Sequence, residues 1–394
     1  MNEVVAIVPW GDVIEDYLDP IGLTVEEFAR DMSGGWLFGY VQALRSAGFM
    51  PFIIAPSSSV DAPRKLIHSD TNTAIWLVPG RSCQSIGNPE VRSVCQWLTM
   101  PWAATRQVLR NEGCGYLLVQ DYERPQFDAF VRMGQAMGIQ VFATFQGGDQ
   151  TLSRVERPVR RRSIRRADGL IVAASAERTR VAAAYEVPAS KIAAVPNPVD
   201  AEAWAPMPRA EARKSLGIEE HGFLAVTHGR IDIHRKGLDL LLEGWKGPGM
   251  LVLIGSGQDR ERFAAMVRDR PDIRWIDQYT NDRELIRRWL SAADLYISAS
   301  RLEGMPVAPL EAMACGLPVI ASTAKGLEDI FPAGLPSGGI RFPTGDAGAL
   351  TAAIDKLRDD FALRQRLGKH ARDAVILRFS IASVGERLGS LLRS

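Results

Sequence analysis

Short apolar runs recur along the chain at intervals long enough to hold a helix: at 4–8, 51–55, 74–78, 116–119, 139–144, 169–173 and 192–195, and then at 223–227, 250–254, 273–276, 294–299, 318–321 and 339–342. Most show little polar alternation, which is the pattern of strands buried on both faces, and the spacing predicts βαβ units in a mostly parallel sheet. Between the two series, at 195–206, the prolines of VPNPVDAEAWAP disfavour helix and remove ladder donors, so a linker is expected there. The chain is read as α/β, with two doubly wound domains at 1–203 and 204–372. The stretch 373–394 is amphipathic with no strand after it, and is expected to form a helix that packs back on the first domain.

Composition narrows this reading only a little. With 394 residues, 46% of them hydrophobic, the chain has mass for two cores. Lys plus Arg is 47 against 46 for Asp plus Glu, so no global field recruits nucleic acid, and a charged partner must be met by a local patch. Cys83, Cys95, Cys114 and Cys315 fall singly, which indicates neither a zinc site nor a disulfide framework and fits a reducing cytoplasm. No leader segment is read at the start, and no run approaches the ~20 apolar residues that a bilayer requires.

The chemistry is concentrated in the second domain. The run THGRIDIHRKGLD at 227–239 follows a strand and opens a helix, placing Arg230 and Lys236 beside Gly229. Ligands of open α/β sheets bind outside the carboxyl ends of strands, and two cations there suit a diphosphate. Cations at a helix start oppose its dipole, so a bound anion explains them better than surface decoration does. A second strand-and-turn, IGSG at 254–257, adds Gly255 as placement only, since two glycines after a strand are often plain turn geometry.

The most informative segment is SASRLEGMPVAPLEAMACGLPVIAS at 298–322. It reads as strand, turn, short helix, glycine stop and buried strand, with Pro309 in the first helical turn and Gly316 as a left-handed cap. The scaffold does not account for both acids. Glu303 is expected on the turn and Glu311 in the first helical turn, both reaching the region outside the strand ends, where carboxylates accept hydrogen bonds from sugar hydroxyls. The blander reading is that Glu311 complements the helix dipole and Glu303 is a solvated turn residue.

In this order the motifs resemble those of the retaining family-four glycosyltransferases of GT-B architecture, two Rossmann-like domains facing a central cleft. The resemblance covers essentially the whole second domain: Gly229-Arg230 with Arg235-Lys236-Gly237, Gly255-Ser256-Gly257, then Glu303-Gly304 with the run from Glu311 to Pro318. It implies that Arg230 and Lys236 bind the donor diphosphate, that Glu311 takes the ribose hydroxyls, and that Glu303 contacts the transferred sugar. The backbone of Met305, Val307 and Ala308 would help to cradle the donor. The first domain resembles the family more loosely, through Ser33-Gly34-Gly35-Trp36, where Gly34 and Gly35 would let the backbone approach the donor closely.

There are two departures. Many relatives carry His-Gly after an inward strand, where this chain has Phe145-Gln146-Gly147-Gly148-Asp149; Gln146 can hold a hydroxyl but cannot take a proton. The stretch 12–32 is an insertion holding Asp12, Glu15, Asp16, Asp19, Glu26, Glu27 and Asp31 against the single base Arg30. Asp16, Gln146 and Asp149 are the candidate acceptor contacts. Opposite in charge is 154–166, with Arg154, Arg157, Arg160, Arg161, Arg162, Arg165 and Arg166 and only Glu156 as an acid. An anionic acceptor, a peripheral contact at the inner face of a membrane, and a solvated helix face neutralised by the acidic lip are the open readings of that run.

The expected activity is metal-independent transfer of a hexose, with retention, from a nucleotide sugar to a sugar, a lipid-linked or a small-molecule acceptor. Arg230, Lys236 and Glu303 carry the chemistry, no metal or other cofactor is implied, and UDP-glucose precedes GDP-mannose as the expected donor. A catalytically silent nucleotide-sugar binder is the alternative, kept open by Gln146 and opposed by Glu303, since a pure nucleotide sensor need not grip the sugar. A nucleotide-sugar epimerase is a further rival, which formation of an epimerised donor would reveal.

Overall fold

The computed structural model describes residues 3–9, 11–19, 22–32, 35–145, 152–278 and 282–394. It divides into two compact units, one made of 1–33, 37–196 and 384–394, the other of 34–36 and 197–383. These divisions fall after Pro196 and Ser383, where the sequence pattern suggested 203 and 372.

The first unit is built on an eight-stranded sheet in the order β3-β4-β2-β1-β5-β6-β7-β8. Its strands are β1 Val4–Val8, β2 Met50–Ser57, β3 Arg64–Ile67, β4 Ala74–Pro79, β5 Tyr116–Gln120, β6 Gln140–Phe145, β7 Gly169–Val172 and β8 Ile192–Ala194. All pairs are parallel apart from β3 with β4. β3 was not legible as a strand: its RKLI sequence is largely exposed at a sheet edge and contributes no buried run. Ala6, Val8, Leu117, Val119, Val141 and Ala143 form the inner part of a core closed by Phe127, Phe130 and Met133 from the helix Pro125–Met137.

Residues of the helix Ile381–Leu392 complete this unit. Val384, Leu388 and Leu392 are buried. Arg393 stacks on Phe49, 4.5 Å from its ring centre, and pairs with Glu3 at 2.7 Å. Gly385 lies so close to the Ala43 carbonyl and the Ser46 hydroxyl that a Cβ there would overlap both.

The second unit has a six-stranded parallel sheet in the order β11-β10-β9-β12-β13-β14. The strands are β9 Leu224–His228, β10 Met250–Ile254, β11 Ile273–Ile276, β12 Leu295–Ser298, β13 Val319–Ser322 and β14 Gly339–Phe342. β9 is paired on one side with β10 and on the other with β12, with Val226 opposite both Val252 and Tyr296. The direction of winding reverses at β9, and such a switch point leaves a crevice beyond the carboxyl ends of the strands.

The described residues of the acidic stretch 12–32 are held in place by their own polar contacts. Thr24 and Glu27 form a capping box at the start of the helix Val25–Asp31, Glu26 pairs with Arg64 at 2.9 Å, and Glu15 takes the Ser57 hydroxyl at 2.5 Å. Of the arginine run, Arg160 is fully buried between Asp128 and Glu156, while Arg161 and Arg165 both pair with Glu186. The acids that Arg160, Arg161 and Arg165 meet therefore lie outside the lip.

Candidate functional site in the second unit

β9 delivers His228 to the switch point and is followed by Gly229, whose φ of +137° is open to glycine. Ile231 and Ile233 then turn inward and are buried, which holds the chain against the sheet while Arg230 stays exposed. Asp232 accepts from the Arg235 N–H at 3.0 Å and so starts the helix Ile233–Lys236. Gly237 ends it at φ +61°, pressed against the Ala299 carbonyl oxygen, and the chain enters the helix Leu238–Gly244.

This arrangement corrects one sequence argument. Lys236 lies in the last turn of its short helix, where a cation complements the dipole, so dipole opposition is no argument for an anion at Lys236. What fixes it is an acid: Lys236 Nζ is 2.6 Å from Glu303 Oε1, which also accepts from the Ser300 hydroxyl at 2.7 Å. The Glu303 turn is itself tied down. The Arg301 N–H donates to the Arg235 carbonyl at 2.9 Å, and the Arg301 guanidinium grips both oxygens of Asp239 at 2.7 and 3.0 Å.

Glu311 also differs from expectation in place. The helix runs Val307–Ala314, one residue after Pro306, so Glu311 falls in its second turn and not its first. Helix-dipole complementarity is accordingly weak, and its partner is His228, whose Nε2 lies 2.8 Å from Glu311 Oε2. A carboxylate only accepts, so Nε2 carries the hydrogen. The imidazole is edge-on to Tyr296, and the Tyr296 hydroxyl, itself buried, sits between the His228 backbone N–H and carbonyl at 3.4 and 3.3 Å. Burial drives the Tyr296 hydroxyl far above the ordinary tyrosine range, so it stays neutral.

One pocket within this unit is lined by Gly229, Arg230, Lys236, Glu303 and Ala308, with His228 in its wall. The structure thus gathers three cation and carboxylate candidates and the start of the Val307–Ala314 helix, whose leading N–H groups have no partner inside the helix. Met305 is buried and its carbonyl accepts from Asn197 Nδ2 at 2.8 Å. Gly255 has φ +144° and sits against the Gly229 carbonyl, while Gly257 packs on Ile231 and the Ile231 N–H donates to the Ser256 carbonyl at 3.0 Å. The two glycine turns are therefore one packed unit, and Gly255 shapes the site by letting the loops touch.

The first-unit candidates are less gathered. Gly34, Gln146 and Asp149 lie outside the described residues, and Gly35 begins the helix Gly35–Ser46. Asp16 accepts from the Asp12 and Val13 N–H groups at 3.0 and 3.2 Å with one oxygen, and from the Ser82 hydroxyl at 2.9 Å with the other. Both oxygens already hold the lip together.

Comparison with known proteins agrees with this fold. Residues 37–203 match the family described as Glycosyltransferase Family 4, and residues 208–374 match Glycosyl transferases group 1. The chain belongs to the family-four glycosyltransferases of GT-B architecture. This glycosyltransferase is 27% identical over 266 residues to alpha-maltose-1-phosphate synthase of Mycobacterium tuberculosis, covering 63% of this chain and 67% of that one. It is 26% identical to a GDP-mannose-dependent phosphatidylinositol monomannoside mannosyltransferase of Corynebacterium glutamicum, over 51% of this chain and 55% of that protein. Among solved structures, sucrose-phosphate synthase of Thermosynechococcus elongatus superposes with a TM-score of 0.76 at 21% identity, covering 99% and 98% of the two chains. Anabaena HepE in complex with UDP superposes at 0.75 and 14% identity over all of both chains.

Two site residues of the glycosyltransferase escaped the sequence reading. His228 was visible as a polar residue ending a buried strand at 224–226, but its partner is 83 positions away. Asn197 sat in the proline-rich linker, where nothing local distinguishes it. Among the described residues, no helix is long and apolar enough to cross a membrane.

Proposed function

We propose that this glycosyltransferase moves a hexose from a nucleoside diphosphate sugar to a sugar, lipid-linked or small-molecule acceptor, with retention at the anomeric carbon and without a metal. The observation that supports the reading most is the convergence of Arg230, Lys236 and Glu303 on one pocket at the β9 switch point, with Glu311 held behind its wall by His228. Exposed Arg230 and the N–H groups leading the Val307–Ala314 helix would meet the diphosphate, where negative charge grows as the bond to the sugar breaks. Lys236 would then be shared between phosphate and Glu303, which leaves the Glu303 carboxylate for the transferred sugar. Glu311 has one oxygen engaged by His228 and the other for ribose hydroxyls.

UDP-glucose is the first donor to test and GDP-mannose the second; HepE was solved with UDP-glucose, and the corynebacterial relative is named for GDP-mannose. A thermal-shift panel of nucleotide sugars and free nucleotides identifies the donor, because a ligand held only by the folded chain raises its stability. Proton spectroscopy of the product with that donor then reads the anomeric configuration. An inverted product, or no shift with any nucleotide sugar, overturns the proposal.

A further inference from the structure

The helix Pro89–Leu98 turns an apolar face outward. Asn88 caps it through the Val91 N–H, Ser93 is buried, and Trp97 anchors its inner side by donating to the Pro125 carbonyl at 3.1 Å. Val91, Val94 and Leu98 are exposed instead, Leu98 by 77% and Val91 by 56%. At 100° per residue these three fall within about 60° of arc, so they form a single stripe.

The start of the arginine-rich helix Glu156–Arg166 lies beside this helix, on its Ser93 side. Ser153, just before it, brings its hydroxyl to 3.2 Å from that of Ser93, and Trp97 also reaches Asp128, the carboxylate that holds Arg160. Val155 and Val159 are exposed as well, in the same helical row as Arg162 and Arg166. Arg154, Arg157, Arg161, Arg162, Arg165 and Arg166 all face solvent, and the acid that two of them meet is Glu186. Glu156, the acid within the helix, is buried against Arg160.

We propose that the exposed faces of these two helices together dock on an anionic phospholipid surface. Apolar side chains flanked by arginines combine the two contributions that hold a peripheral protein at a bilayer, burial at the acyl boundary and attraction to acidic headgroups, and the long arginine stems can lie along the boundary with their charges in water. Charge selects this occupant over a second copy of the chain, since a two-fold contact through this face would set arginine against arginine. The inference goes beyond glycosyl transfer and holds for any donor.

The test uses the whole protein with vesicles of phosphatidylcholine alone and of phosphatidylcholine mixed with phosphatidylglycerol. Sedimentation should show binding to the mixed vesicles only, weakening as salt is raised. Val94→Asp with Leu98→Asp, and separately Arg157→Glu with Arg162→Glu, should each lower partitioning about tenfold or more, from roughly fivefold per basic residue at an anionic surface. Both variants should keep the wild-type circular dichroism and the thermal shift given by the nucleotide sugar. Equal partitioning of wild type and both variants, or no binding to mixed vesicles at low salt, overturns the proposal; retention on immobilised polyglutamate without vesicle binding reassigns the face to an acidic protein.

Discussion

His228 and Glu311, 83 residues apart in sequence, are joined by a 2.8 Å hydrogen bond from Nε2 to Oε2 at the end of the central strand of the second sheet. Nδ1 of the same ring is buried and has no partner among the described residues. The ring therefore spends one nitrogen orienting the carboxylate, and no described residue engages the other.

If Glu311 takes the ribose, His228→Ala should raise the donor KM about tenfold while changing kcat little, in line with ~1.5 kcal/mol for a hydrogen bond to a charged group. His228→Gln, which can place an amide N–H near the lost Nε2, should recover part of this. Steady-state kinetics with the donor varied checks it; an unchanged KM would show that the pair is scaffold only.

Lys236→Ala should lower kcat on the order of a hundredfold or more, since it removes a charge placed where the leaving phosphate develops its own. It also leaves Glu303, whose side chain is 8% exposed, with the Ser300 hydroxyl as its donor. A fall in melting temperature should therefore accompany the loss of rate. Lys236→Arg should not restore activity, because a planar fork does not replace a compact ammonium at 2.6 Å from its carboxylate.

Gly255→Ala should destabilise the second unit by roughly 2 kcal/mol or more. Its φ of +144° is strained for any side chain, and a Cβ would overlap the Gly229 carbonyl. Denaturant unfolding measures the loss, and donor affinity should fall with it because the Arg230 loop is displaced.

Arg160→Met should be far more damaging than any exposed arginine of 154–166. It leaves Asp128 and Glu156 buried without their cation, a change that typically costs ~3–5 kcal/mol, whereas Arg157→Met should stay within ~0.5 kcal/mol. Paired unfolding curves decide this.

Asp121 supplies a pH test. It sits at φ +66° after β5, buried, and burial pushes its carboxyl above the ordinary aspartate range despite hydrogen bonding from the Glu123 N–H and the charge of Arg124. A raised carboxyl stabilises the fold below its unfolded pKa, and that contribution is lost as pH rises through the folded value. Asp121→Asn tolerates the same backbone and cannot ionise. Its melting temperature should exceed that of wild type at neutral pH, with the gap closing in acid; a gap that widens in acid would reverse the assignment.

The fold was legible because buried parallel strands write themselves as apolar runs: the run at 250–254 is β10, and that at 339–342 is β14. β3 escaped because an exposed edge strand has no such run. In the candidate site, residues placed by a local turn could be found, as with Gly229 and Glu303. The partners of Glu311 and Arg160 could not, since His228 and Asp128 reach them only through tertiary packing. The dipole argument at Lys236 failed for a related reason: a four-residue helix ending at Gly237 reversed which terminus the lysine occupies.

The first unit is not continuous in sequence, for its surface around Ala43, Ser46 and Phe49 is covered by residues 384–394. During synthesis, that covering segment leaves the ribosome only after the whole second unit has been made. The amino-terminal half must wait through that interval with an uncovered apolar seam, which is an opening for chaperones, and loss of Val384, Leu388 and Leu392 by a premature stop would be felt in the domain translated first.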